Sequence, residues 1–127
     1  MAWQQIIIIG LGGFLGSISR HLCTIWLSRW TQSVYPWGTF TVNMLGCLLL
    51  GFLIGLAGSQ FLSERWRLFL AVGFCGSFTT FSTFSAEGFG LFEKDLSMLG
   101  LLYLAGSVAG GLLLAGAGLW LGRQLNA

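Results

Sequence analysis

Four stretches of this chain, residues 3–27, 39–57, 66–92 and 98–121, carry between them only three charged side chains, Arg20, Arg67 and Glu87. A helix needs about 20 residues to cross the hydrocarbon core of a bilayer, and each stretch is of that length. Only 8% of the 127 residues are charged, where a soluble domain carries about a quarter. The mean hydropathy is +0.82. A chain this poor in charge cannot cover its own surface in water, so its solvent is lipid. No alternation of apolar and polar residues marks a strand, and in lipid the backbone must then be satisfied within helices. The sequence predicts an all-α membrane protein, a single domain of four transmembrane helices over residues 1–127.

The first stretch lacks a basic leader and an A-x-A site, and it runs on through Arg20 and His21, so it reads as a retained span. Pro36-Trp37-Gly38 gives a stop and a turn before the second span. Trp3, Trp26, Trp30, Tyr35, Trp37, Trp66 and Trp120 fall near span ends, as an aromatic belt requires. Residues 59–67 form the one link of mixed polar character and are expected along the interface. An even span count puts both termini and this link on one side, with Arg65, Arg67 and Arg123. Arg20, Arg29 and Lys94 go to the other. Basic residues are thus balanced, and the positive-inside rule selects neither orientation. Either the rule is weak for so short a chain, or the protein inserts both ways and pairs antiparallel. A net charge of +2 is too small to imply a nucleic-acid partner.

Glycine is abundant, at 20 residues, and patterned. Gly12-x-x-x-Gly16, Gly51-x-x-x-Gly55 and Gly106-x-x-x-Gly110 allow close helix approach. Four helices leave little room for a lumen, so a pore calls for a second subunit. Cys23, Cys47 and Cys75 are scattered through apolar stretches without a C-x-x-C pair and read as small buried hydrophobes. His21 has no partner ligand nearby in sequence.

Polar groups within spans are costly and point to function. Residues 73–85 hold two glycines and six hydroxyl residues, a poor composition for continuous helix. The third helix is expected to break there, near the midplane, freeing backbone groups that lipid tolerates only when buried or lining a cavity. The alternative is a hydroxyl-rich packing seam. Thr39 and Asn43 share one helix face, as do Tyr103 and Ser107, with Gly111 continuing the second stripe. Either stripe alone reads as interhelical hydrogen bonding. Together they offer neutral donors that can replace an anion's hydration without a cation to trap it. Phe81 and Phe84, three apart, could turn positive ring edges to a small anion, though an aromatic stripe is more often packing.

Gly76-x-x-Thr79-Thr80-Phe81-Ser82-Thr83-Phe84-Ser85-Ala86-Glu87 resembles the signature of the Fluc family, also called CrcB, fluoride channels of microbes. Gly12-x-x-x-Gly16-x-x-x-Arg20, Trp37-Gly38-Thr39-Phe40-x-Val42-Asn43-x-x-Gly46 and Tyr103-x-x-x-Ser107 match the same pattern, in order, one per span. The resemblance covers essentially the whole chain. It implies passive fluoride export through an antiparallel, dual-topology homodimer with two pathways, multi-pass in the inner (plasma) membrane. It makes Asn43 a pore-lining donor and Phe81 and Phe84 the pair whose ring edges meet fluoride. Ser82, Thr83, Tyr103 and Ser107 match positions along a polar track, and Thr39 joins the fluoride pathway on the face of Asn43. Backbone carbonyls of Gly76 and Thr79, from both subunits, match those that hold a structural sodium ion. Glu87 matches an acidic position near a vestibule, and Arg20 the arginine of the first span. Similar proteins often carry serine where Gly111 stands.

Two other readings compete. A small four-span proton-coupled exporter needs a membrane carboxylate, expected in the first span, which has no Asp or Glu. A non-conducting scaffold built on glycine seams would not need a broken third span. No nucleophile–base set or metal cluster points to an enzyme.

Overall fold

The computed structural model describes residues 2–57 and 62–125. The start of the polar link expected along the interface, residues 59–61, lies outside the described residues. Helix α1 spans Ala2–Thr31, α2 Trp37–Gly55, and α3 Glu64–Arg67. A π-helical stretch, Leu68–Cys75, continues α3 into the short α4, Gly76–Phe78. Helices α5, Phe81–Glu93, and α6, Ser97–Gln124, follow. No strand occurs among the described residues. Among the described residues, four segments are long and apolar enough to cross a membrane: Ala2–Thr31, Trp37–Gly55, Glu64–Glu93 and Ser97–Gln124. The chain is a multi-pass membrane protein in length and composition, and its outward faces agree. Trp3, Leu113 and Phe89 are among the many large apolar side chains left exposed.

The helix ends run past the apolar stretches for local reasons. Beyond residue 27, α1 continues through Ser28 and Thr31, whose hydroxyls donate back to the Thr24 and Leu27 carbonyls at 2.8 and 2.9 Å. It stops at Gln32, which takes a left-handed φ of 44° and still donates its N–H to Ser28 O. Pro36 then opens α2, its carbonyl accepting from Phe40 N–H at 3.0 Å. The α5–α6 turn uses Asp95 at φ 59° in the same way. Ser63 caps α3 by accepting from the Trp66 N–H, and Arg67 grips Glu64 with two hydrogen bonds of 2.9 and 2.7 Å.

Helices α2 and α6 form the most extensive pair. A Cβ added at Gly51 or Gly118 would overlap the carbonyl oxygen of Ala115 or Leu48, and one at Gly55 would lie 2.5 Å from Leu119 O. Contacts advance in the same direction along both helices, which run parallel. The π stretch packs against α1 in a second seam: Gly12 meets the backbone of Phe69, Gly16 that of Phe74, and Gly73 that of Ile9. Small residues here let backbones touch where lipid supplies no hydrophobic drive. The Gly106-x-x-x-Gly110 motif works differently from the other two. Gly110 faces the Met44 sulfur, but Gly106 meets nothing within 4 Å. The face of α6 turned to α2 carries Gly111, Gly118 and Gly122 instead.

Candidate functional site

The site forms where α4 meets α5. Thr79 (φ −85°, ψ 159°) and Thr80 (φ −150°, ψ 125°) are extended between them. An extended pair inside an apolar span leaves backbone groups to be satisfied. Asn43 on α2 does this for Thr80: its Oδ1 accepts the Thr80 N–H at 2.8 Å, and its Nδ2 donates to the Thr80 carbonyl at 3.1 Å. Thr80 Oγ1 caps α5 by accepting from Thr83 N–H at 3.2 Å, and it donates to Thr83 Oγ1 at 3.1 Å. Ser82 Oγ lies 3.4 Å from the same hydroxyl. Thr79 donates its N–H and its hydroxyl to Cys75 O. Gly46 makes room for the Thr79 methyl group, which a Cβ would strike.

A cleft of about 280 Å³ opens beside these residues, lined among others by Asn43, Thr79, Phe81, Phe84 and Ser107. Five of the residues expected on the pathway or at the cation site thus share one space. Ser107 Oγ is buried there, with its residue 8% exposed and no hydrogen-bond partner. A buried hydroxyl without a protein partner calls for one from an ordered water or a bound molecule. The two phenylalanines differ: Phe84 is 9% exposed and Phe81 78%. Their ring centroids are 5.8 Å apart, and Phe84 meets Tyr103 at 5.2 Å.

Tyr103 is fully buried, and its hydroxyl donates to Glu87 Oε2 at 2.8 Å. Thr39 donates to Glu87 Oε1, also at 2.8 Å. In the sequence Thr39 and Tyr103 belong to two separate stripes; the fold joins both to one carboxylate. Their hydroxyl protons are engaged there, so Ser107 is the member of its stripe whose hydroxyl stays free. Glu87 also lines a second cavity of about 460 Å³, with Thr24, Ser28, Thr31 and Lys94. Sequence reasoning misses Thr24, Ser28 and Thr31, although their spacing of four and three marks one face of α1. Tyr35 borders this cavity, and burial pushes its phenol above the ordinary value. Arg20 is half-buried on α1, away from the cleft lining; among the described residues no carboxylate pairs with it. Hydrogen bonds therefore join Thr39 and Tyr103 to Glu87 at the second cavity, and the Tyr103 ring meets Phe84, which lines the cleft with Ser107.

Main-chain carbonyl oxygens are the neutral, hard ligands that a monovalent cation takes, and those of Gly76 and Thr79 bear on that chemistry. The amide four residues on from Gly76 is turned to Asn43, and the one four on from Thr79 is turned to Thr80 Oγ1. Neither carbonyl therefore keeps its helical donor. A Cβ at Gly76 would meet nothing within 4 Å, so this chain leaves the position open. Among the described residues no cluster of His, Cys, Asp and Glu could hold a metal ion.

Four apolar spans, glycine seams and a cleft beside the extended Thr79–Thr80 pair define a small multi-pass membrane protein. The model of the family described as CrcB-like protein, Camphor Resistance (CrcB), matches residues 7–119, and the chain belongs to that family. It is 44% identical over 108 residues to the fluoride-specific ion channel FluC of Chlorobium chlorochromatii, covering 84% of this chain and 83% of that one. The protein of the same name from Phocaeicola vulgatus is 42% identical over 118 residues, 93% of this chain and 98% of its own. That of Flavobacterium psychrophilum is 38% identical over 123 residues, 96% and 99%.

Proposed function

We propose that the chain is a fluoride channel that lets fluoride leave the cell passively and so lowers its toxicity. The observation that carries this reading is the buried, unpartnered Ser107 hydroxyl in the cleft beside Phe81, Phe84 and Asn43. A small anion entering a membrane loses hydration worth far more than any one contact returns. Neutral donors and ring edges replace that hydration piecemeal, without a cation to trap the ion. Ser107, the second Nδ2 hydrogen of Asn43 and the edges of Phe81 and Phe84 are the groups for this role. Ser82 and Thr83 extend it along α5. Conduction changes no covalent bond; the chain is not an enzyme.

The working unit is a homodimer of antiparallel chains in the inner (plasma) membrane, and three features support it. Phe81 is largely exposed beside the cleft, Gly76 faces open space, and the basic residues are balanced across the spans. The extended pair Thr79–Thr80 then lies at the bilayer midplane as a break in the third span. Two copies crossing there bring their Gly76 and Thr79 carbonyls together, the ligand set for a structural sodium ion. A C-terminal reporter is expected on both membrane faces, and a single orientation would contradict the antiparallel pair.

Purified protein in fluoride-loaded liposomes should give rapid electrogenic efflux at a fluoride electrode without a proton gradient. Exchanging sodium for a large organic cation should abolish that efflux, and sodium should restore it. Silence in sodium would sink the channel reading, and full efflux after exhaustive sodium removal would sink the sodium site alone.

A further inference from the structure

The cleft does not end at Ser107. One turn along α6 lies Gly111, buried and without a side chain. A Cβ built there would meet the Cys47 sulfur at 3.3 Å. Cys47 is a free, half-buried cysteine on α2 that lines the cleft together with Asn43, Phe81 and Ser107. With Leu50 it also lines a second, apolar groove of about 240 Å³, which runs on along Gly51, Ala115 and Leu119. Cys47 and Leu50 are therefore the wall common to both spaces. Ser107, more than nine-tenths buried and unpartnered, shares the cleft with it. Met44 lines the cleft too, but a thioether has no proton to donate, whereas a thiol is a weak donor.

We propose that the ion path leaves the cleft past Cys47, whose thiol is the last side-chain donor before the apolar groove. Cys47 is accordingly a modification site at which thiol-reactive compounds block conduction. The inference rests on the fluoride reading above. A weak donor at this point lets the anion go, and a bulky adduct on the same sulfur fills the passage. A small methanethiosulfonate, the ethylammonium derivative, reacts with the thiolate. The Cys47–reagent disulfide forms, the reagent's own S–S bond breaks, methanesulfinate leaves, and the thiol proton passes to water.

The test uses full-length protein in liposomes, with Cys23→Ser to remove the other half-buried thiol; Cys75 is 1% exposed. Fluoride efflux is recorded first without reagent, then after treatment, and intact mass reports the adduct. The expected result is one adduct at Cys47 and a fall in efflux of about tenfold or more, equivalent to about 1.4 kcal/mol of added barrier. In Cys47→Ser the ratio of treated to untreated efflux returns to one. An adduct at Cys47 with efflux intact places the thiol off the path and overturns the proposal. Failure of Cys47 to react overturns it as well. Absence of efflux before treatment overturns the fluoride reading and this proposal together, whereas efflux that ignores the reagent overturns this proposal alone.

Discussion

Helices α2 and α6 serve two opposite ends. Toward Gly55 and Gly122 they press backbone on backbone, with glycines against the carbonyls of Ala115, Leu119, Leu48 and Phe52. Toward Thr39 and Tyr103 the same two helices carry hydroxyls, an amide and, between them, the carboxylate of Glu87. The glycine half meets across the two helices through glycines and main-chain atoms. The polar half leaves one hydroxyl orphaned and commits Asn43 to a neighbouring backbone. Rigidity comes from the first, and the capacity to handle an ion from the second. A membrane helix has no hydrophobic drive to hold a cleft with an unpartnered hydroxyl in shape. The close-packed half supplies that frame.

The comparison can be broken most severely in the seam. Gly118→Leu puts a branched side chain into the Leu48 and Phe52 backbone, and overpacking of this kind costs about 3 kcal/mol or more. The variant should yield no monodisperse protein on a sizing column. Its counterpart, Gly106→Ala, adds a methyl group to open space on the same helix and should purify and conduct like wild type. Equal behaviour of the two would mean the seam is not the frame.

A smaller effect is expected from Asn43→Ala. It strips partners from the Thr80 N–H and carbonyl, and a buried orphaned group costs about 1–3 kcal/mol. The folded protein should survive with a lower Tm, fast hydrogen exchange at the Thr80 amide, and weakened efflux. Retained protection at Thr80 would show that Asn43 is a pore donor only.

Much of this architecture is legible in the residues. Span number and place follow from charge-free length, which lipid enforces without regard to tertiary detail. The ends do not: α1 runs to Thr31 because Ser28 and Thr31 satisfy themselves on their own helix, a local bond that hydropathy does not register. The π-helical Leu68–Cys75 has no signal either, since its register answers to the glycines of α1. Thr39, Tyr103 and Glu87 are each readable as polar groups in spans. Their junction is not, because Thr39 and Glu87 stand 48 residues apart. A cue exists in Glu87, the one carboxylate deep in a span, which without a cation must seek hydroxyl donors. Asn43 reads in sequence as a donor to an anion, while the fold gives one of its amide hydrogens to Thr80; spacing reveals a face, never a partner.

At the centre of this account stands the claim that the orphaned donor in the cleft serves the ion and not the fold. Fluoride efflux and thermal stability of Ser107→Ala, measured on the same preparation, test it most directly. Removing an unsatisfied hydroxyl should leave stability within about 1 kcal/mol of wild type while efflux falls about tenfold. Unchanged efflux, or a loss of efflux matched by unfolding, would contradict it.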